Sequence, residues 1–323
     1  MSPSLDLLVI GDVNPDVVVH GAPAALAYGQ AEQLVKGGAL TVGGSAGITA
    51  CAAARLGLRT ALAGVVGDDA GGRFMIDELT RRGVDVEAVA ICAGLATGLT
   101  VALARGDDRA IITYPGCINA LEAALIDAAL VDAARHVHAS SFFLQPRLAP
   151  GLRGLFEAAH SAGATTSLDL NWDPAEMWDG GLADVLPAVD GLFVNAAEAA
   201  AVSGASDPAV AATVLAARGP LPVVKLGAAG ALAHDGCRLV HVSAPAATVV
   251  DTVGAGDTFD AGFLCARLQG WDVSRSLALG VACGSLSAQG AGGVEAQPTL
   301  AEALVVIDGL LPGLGELPQQ CGP

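Results

Sequence analysis

Residues 251–263 read DTVGAGDTFDAGF. Three small residues, Gly254, Ala255 and Gly256, precede an acid, Asp257, and an apolar, helix-compatible run follows from Phe259 to Leu268. A glycine-rich turn that opens a helix is an anion site, because free backbone N–H groups and the positive helix end point the same way. A carboxylate in that first turn repels a resting phosphate. It makes chemical sense as the acceptor of a proton from a hydroxyl that attacks the phosphate, while the turn stabilises charge on the transferring group. The same acid can instead do no more than complement a helix N-terminus. The residues alone leave both readings open.

Other chemistry-bearing residues fall where short apolar runs end: Asp12, Asn14 and Asp16; Asp169 and Asn171; Asn195 and Glu198; Lys225. Each is by itself an ordinary turn or cap residue. Their repetition at strand ends gives them a second meaning, because open α/β sheets bind ligands beyond the carboxyl ends of their strands. The elements that position them read clearly. LDLLVIGDV is a buried strand, GGSAGITACAAARLGL a glycine-rich turn into a helix, RTALAGVVGDD a strand and AGGRFMIDELTRRG an amphipathic helix. Helical segments at 120–130, 149–162, 181–187 and 207–217 then alternate with strands HVHASSF, TTSLDLN, GLFVN and LPVVKLG. This alternation predicts an α/β fold with a doubly wound, mostly parallel sheet and helices on both faces. Residues 13–42 and 97–114 break the pattern with β-branched runs, the second a hairpin around RGDD. They are assigned to a small β lid, with 1–12, 43–96 and 115–312 as the α/β domain and 313–323 as a flexible tail. Exposed edges and an apolar face on such a lid predict a homodimer through it.

Composition narrows the function. The 323 residues carry a formal charge of −17, which argues against nucleic acid and against an anionic membrane surface. No apolar run reaches the roughly 18 residues of a membrane span. The N-terminus, with Asp6 and Asp12 early and no basic segment, does not read as a signal peptide, and the seven scattered cysteines form no C-x-x-C pair. A cytoplasmic protein with reduced thiols is expected. Lysine occurs only at Lys36 and Lys225, so a bound polyphosphate would need backbone amides, arginines and a divalent metal. His136 and His138 share one strand face but have no further metal-ligand neighbours in sequence, and read as core residues. Arg105 and Arg109 flank the hairpin turn, as a solvated pair or as a reach toward a substrate carboxylate.

DTVGAGDTFDAGF resembles the C-terminal signature of the ribokinase-like carbohydrate kinases, the PfkB family, with the D-T-x-G-A-G-D order complete. GGSAGITACAAARLG (43–57) resembles its N-terminal signature, NAAE (195–198) its N-x-x-E motif, and KLGAAG (225–230) its nucleotide-site strand and turn. The likeness spans about residues 5 to 308, and the chain has no G-x-x-x-x-G-K-[ST] loop. The resemblance implies an ATP- and Mg²⁺-dependent kinase of a small sugar. Asp257 would be the general base, and the backbone of 254–257 the anion hole for the γ-phosphate. Asn195 and Glu198 would organise Mg²⁺ and phosphate-bound water. Lys225, Gly227, Gly230 and Val281 would border the nucleotide. Asp12, Asn14, Asp16, Gly43, Gly44, Gln145 and Arg109 would face the acceptor, and Asp251 with the loop AQGAGG (288–293) resembles a K⁺ site. Two departures stand out: Ile48 and Val281 occupy places where many members carry asparagine. A nucleoside or a 2-keto-3-deoxy acid sugar is the alternative acceptor, and a catalytically idle sugar or nucleotide sensor the non-enzyme alternative. A Rossmann oxidoreductase is disfavoured because GDVNPD, not G-x-G-x-x-G, follows the first strand.

Overall fold

The computed structural model describes residues 4–105 and 108–310. The proposed tail 313–323 and the turn residues Gly106 and Asp107 lie outside the described residues. In chain order the strands are β1 (Leu5–Ile10), β2 (Asn14–His20), β3 (Gly37–Gly43), β4 (Thr60–Gly67), β5 (Val89–Cys92), β6 (Leu99–Arg105), β7 (Asp108–Tyr114), β8 (Ala134–Ala139), β9 (Thr165–Asp169), β10 (Gly191–Asn195), β11 (Leu221–Lys225), β12 (Ala231–His234) and β13 (Leu239–Val242). The helices are α1 (Ser45–Arg55), α2 (Ala70–Arg81), α3 (Ala128–Ala133), α4 (Ala149–Ser161), α5 (Leu182–Val185), α6 (Ala196–Ser203), α7 (Pro208–Ala216), α8 (Ala255–Leu268), α9 (Val273–Ser287) and α10 (Leu300–Leu310).

Nine strands form one sheet in the order β13-β12-β11-β10-β9-β8-β1-β4-β5. It is parallel from β11 to β5, and only the β12–β13 hairpin runs antiparallel. This is the doubly wound, mostly parallel α/β architecture that the alternation predicts. Strand β1 is buried along its whole length, with Leu7 and Val9 in one core and Leu8 and Ile10 in the other. A strand covered on both faces can be apolar throughout, which is why LDLLVI does not alternate. The chain leaves β1 for β4 on one side and later returns to β8 on the other. That reversal opens a crevice at the carboxyl ends of β1 and β8, where such sheets bind ligands.

The other four strands make a separate sheet in the order β3-β2-β6-β7. Its register places Asp16, Thr41, Thr100 and Thr113 in one row and Val17, Leu40, Val101 and Ile112 in the next. Side chains alternate across a strand, so the first row shares a face and the second row lies on the opposite one. Leu40 and Ile112 are exposed on that second face.

The 120–130 helix and four strands differ from the sequence expectation. The helix expected at 120–130 is two 3₁₀ turns, Gly116–Ala120 and Ala123–Leu125, followed by α3. Leu121 and Ile126 are buried with extended backbone, which breaks the alanine-rich run, and the Asp127 carboxylate accepts from Ala129 N to start the helix late. Strands β3 and β5 were not read individually. Nor was the β12–β13 hairpin, although Asp235-Gly236 between its two runs is a hairpin signal. The segment GDDAGGR is a helix start, as expected: Asp69 Oδ1 accepts from Gly72 N at 2.9 Å.

Asp69 also joins the two sheets' connections. Its Oδ1 accepts from Thr97 Oγ1 at 2.6 Å and its Oδ2 from Thr97 N at 2.8 Å, just before β6. These bonds hold its carboxyl below the usual range. Asp69→Ala is expected to cost about 1–2 kcal/mol, as for a lost helix cap. Because the depressed carboxyl stabilises only when ionised, the deficit relative to wild type should shrink as pH falls through the carboxylate range. Thermal melts of both proteins from pH 7 downward check it.

Candidate active site

A cavity of about 730 Å³ lies between the carboxyl edge of the large sheet and the inner face of the small one. The crowding of acids within it begins at β1. Asp12, buried, accepts from Ser45 N and Ala46 N at 3.1 Å each, so its carboxylate caps α1 from a distant strand end. Gly44 between them has φ 71°, and a Cβ there would lie 2.5 Å from the Asp12 carbonyl oxygen. Gly43 clears space for another acid: a Cβ would sit 1.8 Å from Asp16 Oδ1. Asn14 Nδ2 donates to Asp16 Oδ1 at 3.1 Å and to Thr100 Oγ1 at 3.2 Å, tying the first loop to the small sheet. Burial, with the like charges of Asp12 and Asp257, pushes the Asp16 carboxyl up to about 7.

On the opposite wall α8 begins at Gly254, whose φ of 70° puts it in the left-handed region. A Cβ on Gly254 would lie 2.6 Å from the Gly293 carbonyl oxygen, so the turn has no room for a side chain. Gly254 has no side chain to cap the helix, and among the described residues no other side chain accepts from its first-turn N–H groups. Ala255 N is taken by the Thr252 carbonyl at 3.3 Å, so the first-turn N–H groups available to an anion are those of Gly256 and Asp257. Asp257 sits in that turn, half-buried and lining the cavity. Poor solvation and the nearby Asp169 carboxylate push it up to about 7, against the pull of Lys225 and a hydrogen bond from Ser45. Ser45 is in turn held by Asn171 Nδ2 at 3.0 Å.

The proposed nucleotide end is more self-contained than the motifs imply. Asn195 Oδ1 accepts from Ala197 N and Glu198 N at 2.9 Å, while Glu198 Oε2 accepts from Asn195 N at 2.9 Å and Oε1 from Asn195 Nδ2 at 2.5 Å. N-x-x-E is thus a reciprocal cap on α6, with both residues still facing the cavity. Burial and the Asp169 charge push Glu198 up to about 7. Lys225 does not extend into open space. Its Nζ lies 2.7 Å from Asp169 Oδ2 and 3.0 Å from Asp260 Oδ2, with Asp260 fully buried. Removing one partner from a buried pair of this kind commonly costs about 3–5 kcal/mol.

Some expected residues stand elsewhere. Gln145 does not line the cavity; with its amide oriented to satisfy its neighbours, Oε1 accepts from Asp12 N and Nε2 donates to the Ile118 carbonyl, both at 3.0 Å. It supports the loop after β1 from behind. Val281 is buried in the core on α9, not on the cavity wall. Gly230 is required by the hairpin, since a Cβ would lie 2.0 Å from the Val242 carbonyl oxygen, whereas Gly227 has open space around it. Asp251 staples two loops, accepting from Val253 N at 2.9 Å and Gly292 N at 3.0 Å. Arg109 reaches the cavity and donates to Thr252 Oγ1, while Arg105 lies at the far end of β6, paired in register with Asp108. His136 and His138 are core residues as expected, bonded through Ser167 Oγ at 2.7 Å each. Sequence reasoning missed Ser45 and Asp260 as neighbours of Asp257. The spacing of Asp257 and Asp260, three apart on one helix face, was a usable signal.

A lone signature could arise by chance, but here every motif converges on one cavity around an uncapped helix turn. Residues 4–300 match the pfkB family carbohydrate kinase profile. The chain belongs to the pfkB family of carbohydrate kinases. It is 32% identical over 295 residues to the ATP-dependent ribose-1-phosphate kinase of Halopiger xanaduensis, covering 91% of this chain and 95% of that one. Among solved structures it is similar to Arabidopsis thaliana ribokinase complexed with ribose and ATP, with a TM-score of 0.81 and 26% identity over 95% of this chain and 99% of that one. A putative ribokinase II from E. coli in complex with ATP and Mg²⁺ shares the fold, with a TM-score of 0.82 at 24% identity over 95% and 99% of the two chains. The protein is therefore a phosphotransferase with an alcohol group as acceptor. No single helix among the described residues is long and apolar enough to cross a membrane.

The cluster predicts how stability follows pH. Asp16, Glu198 and Asp257 bind protons more tightly folded than unfolded, so the folded state holds more protons between about pH 4 and 7. Stability should then fall as pH rises through that window and level off above it. Asp257→Asn should flatten part of this slope and melt above wild type at pH 8. Equal melting temperatures for the two proteins across pH 5–8 would contradict it.

Proposed function

We propose that this carbohydrate kinase transfers the γ-phosphate of ATP to a primary hydroxyl of a small sugar, with Asp257 as general base. The observation that carries the reading is the uncapped first turn of α8 with Asp257 inside it, facing a cavity whose far wall holds Asn14, Asp16 and Thr100. Asp257 takes the hydroxyl proton as the oxygen attacks the γ-phosphorus, and ADP leaves on the opposite side. The N–H groups of the 254–257 turn hold the equatorial oxygens of the transferring group. Asn14 and Asp16 orient acceptor hydroxyls. Asp12, Gln145, Gly43 and Gly44 act one step back, by fixing the loop that carries those groups.

The lining fits a divalent cation. Asp12, Asp16, Asp169, Glu198 and Asp257 all face the cavity, so an unaccompanied triphosphate would meet net negative charge. Asn195 and Glu198 are the residues we assign to Mg²⁺, which when bound neutralises the phosphates. Assignment of K⁺ to Asp251 rests on the resemblance, its two oxygens already accepting N–H groups. The exposed Leu40 and Ile112 on the outer face of the small sheet support a homodimer there, with that sheet acting as lid.

One observation favours a second acceptor class. Phe143 and Trp172 line the cavity and both pack edge-on against Trp178, with ring centroids 5.5 and 5.0 Å apart. Asp173 fixes this wall by accepting from Ala175, Met177 and Trp178 N–H groups. In a chain with 4% aromatics, such a wall suits a flat substituent on the sugar, as in a nucleoside. The acid-sugar alternative would use Arg109, which lines the cavity and gives one of its five N–H groups to Thr252 Oγ1. An idle sensor would have no use for a base placed in the anion turn.

Asp257→Asn should lower turnover by about two to four orders of magnitude, the usual worth of a positioned base. Nucleotide affinity should hold or tighten, because a negative charge beside the phosphates is gone. If Asp257 only complements the helix end, turnover is kept and stability changes by about 0.3–1 kcal/mol. Trp172→Ala should raise KM for nucleosides while leaving that for ribose unchanged if the aromatic wall reads a base. Steady-state kinetics with both acceptors separate these outcomes.

A further inference from the structure

Beneath the anion turn lies a cluster that the proposed reaction does not itself use. Lys225 at the end of β11, Asp169 at the end of β9 and Asp260 on α8 form a buried ion triad, with Nζ–O distances of 2.7 Å and 3.0 Å. Carboxylate oxygens of Asp169, Asp257 and Asp260 all lie within 4.8 Å of one another. The lysine ammonium is the counter-charge within this cluster, and burial relieves the rest of the crowding by pushing Asp260 well up and Asp257 up to about 7. Its side chain also runs beneath the turn, since a Cβ on Gly256 would meet Nζ at 3.5 Å. Asp260 is one helical turn beyond Asp257, so its bond to Lys225 pins the first turn of α8 to the sheet.

We propose that Lys225, Asp169 and Asp260 are positioning residues for the base: Asp260 anchors the Asp257 turn through Lys225, and the opposed charges of Lys225 and Asp169 set how tightly Asp257 holds its proton. The inference rests on the reading of Asp257 as base. The groups facing Asp257 are Asp169 from β9, Lys225 from β11, Asp260 from its own helix, Asp12 after β1 and Asp16 from β2, with the Ser45 hydroxyl from α1. Of these, Asp169 is the leading like charge and Lys225 the leading opposite one. A base needs a proton affinity close to working pH, high enough to take the hydroxyl proton and low enough to be free beforehand. The Asp169 carboxylate behind it raises that affinity, and one ammonium keeps the rise within bounds. Any ion pair acts on a neighbouring acid in opposite senses; what ties this one to Asp257 is its place, its carboxylates within 4.8 Å of the Asp257 carboxylate and its lysine beneath the same helix turn.

The test is a carboxyl ¹³C NMR titration of aspartate-labelled full-length protein, with the Asp257 resonance assigned by its loss in Asp257→Asn. Asp169→Asn should lower the Asp257 midpoint by about one pH unit or more, and Lys225→Met should raise it by a similar amount. The acid limb of kcat/KM should move the same way in each variant. Midpoints that stay put, or move in the same direction, overturn the inference. Lys225→Met leaves two buried acids without their cation and can fail to fold. Asp169→Asn, of the same shape and with Lys225 still paired to Asp260, then decides alone: a midpoint that does not fall is sufficient to reject the idea. If the midpoints separate as expected but no acceptor yields a phosphorylated product, the kinase reading fails and the tuning of Asp257 stands.

Discussion

Like charge held out of water is the constraint on which this molecule is organised. Asp12, Asp16, Asp169, Glu198 and Asp257 all face one cavity, and isolated carboxylates in such a place would be prohibitive. Each is therefore given an assigned partner or is left to hold a proton. Asp12 is taken up by the N–H groups of α1, Glu198 by Asn195, and Asp169 by Lys225 and Asn171 N. Asp16 and Asp257 are less completely matched; both are pushed up to about 7, as is Glu198 in spite of its cap, and burial raises Asp12 as well.

Helix ends follow the same logic. Three helices, α1, α6 and α8, start at this cavity. The first is capped by Asp12 from another strand and the second by its own Asn195–Glu198 box, whereas α8 has no side-chain cap. Two helix ends are thus neutralised by protein groups, and under the proposed reaction the third is left for an anion that arrives from outside. Gly254 is what keeps it open, because the Gly293 backbone would collide with any side chain. In this account the reversal of chain direction at β1 and β8 supplies the crevice, and the uncapped helix supplies its chemistry.

Much of this was legible in sequence, for identifiable reasons. The parallel sheet followed from strand and helix periods, and DTVGAGD announced a helix opened by small residues. Strand β3 of the small sheet and the hairpin β12–β13 carry little periodic signal, because GGALTVG begins and ends in glycine and the hairpin's strands are four residues each. The 120–130 segment misled because its alanines fit a helix while Leu121 and Ile126 are claimed by the core. Roles were harder than elements. Strand-end position picked out Asp169 and Lys225, but their bond joins residues far apart in the chain and depends on Asp260, which looked like an ordinary helix residue. Gln145 and Val281 were expected on the cavity by analogy of position, and each is turned toward its own loop or core.

The account's central claim is that phosphorus passes to a primary alcohol within this cavity. Proton-coupled ³¹P NMR of a reaction containing ATP, Mg²⁺ and a panel of sugars and nucleosides reads that event directly. A phosphomonoester signal split into a triplet by a neighbouring CH₂, appearing with one ADP per product and absent without acceptor, is the predicted result. Inorganic phosphate alone, or no acceptor-dependent ADP across the panel, would contradict the claim.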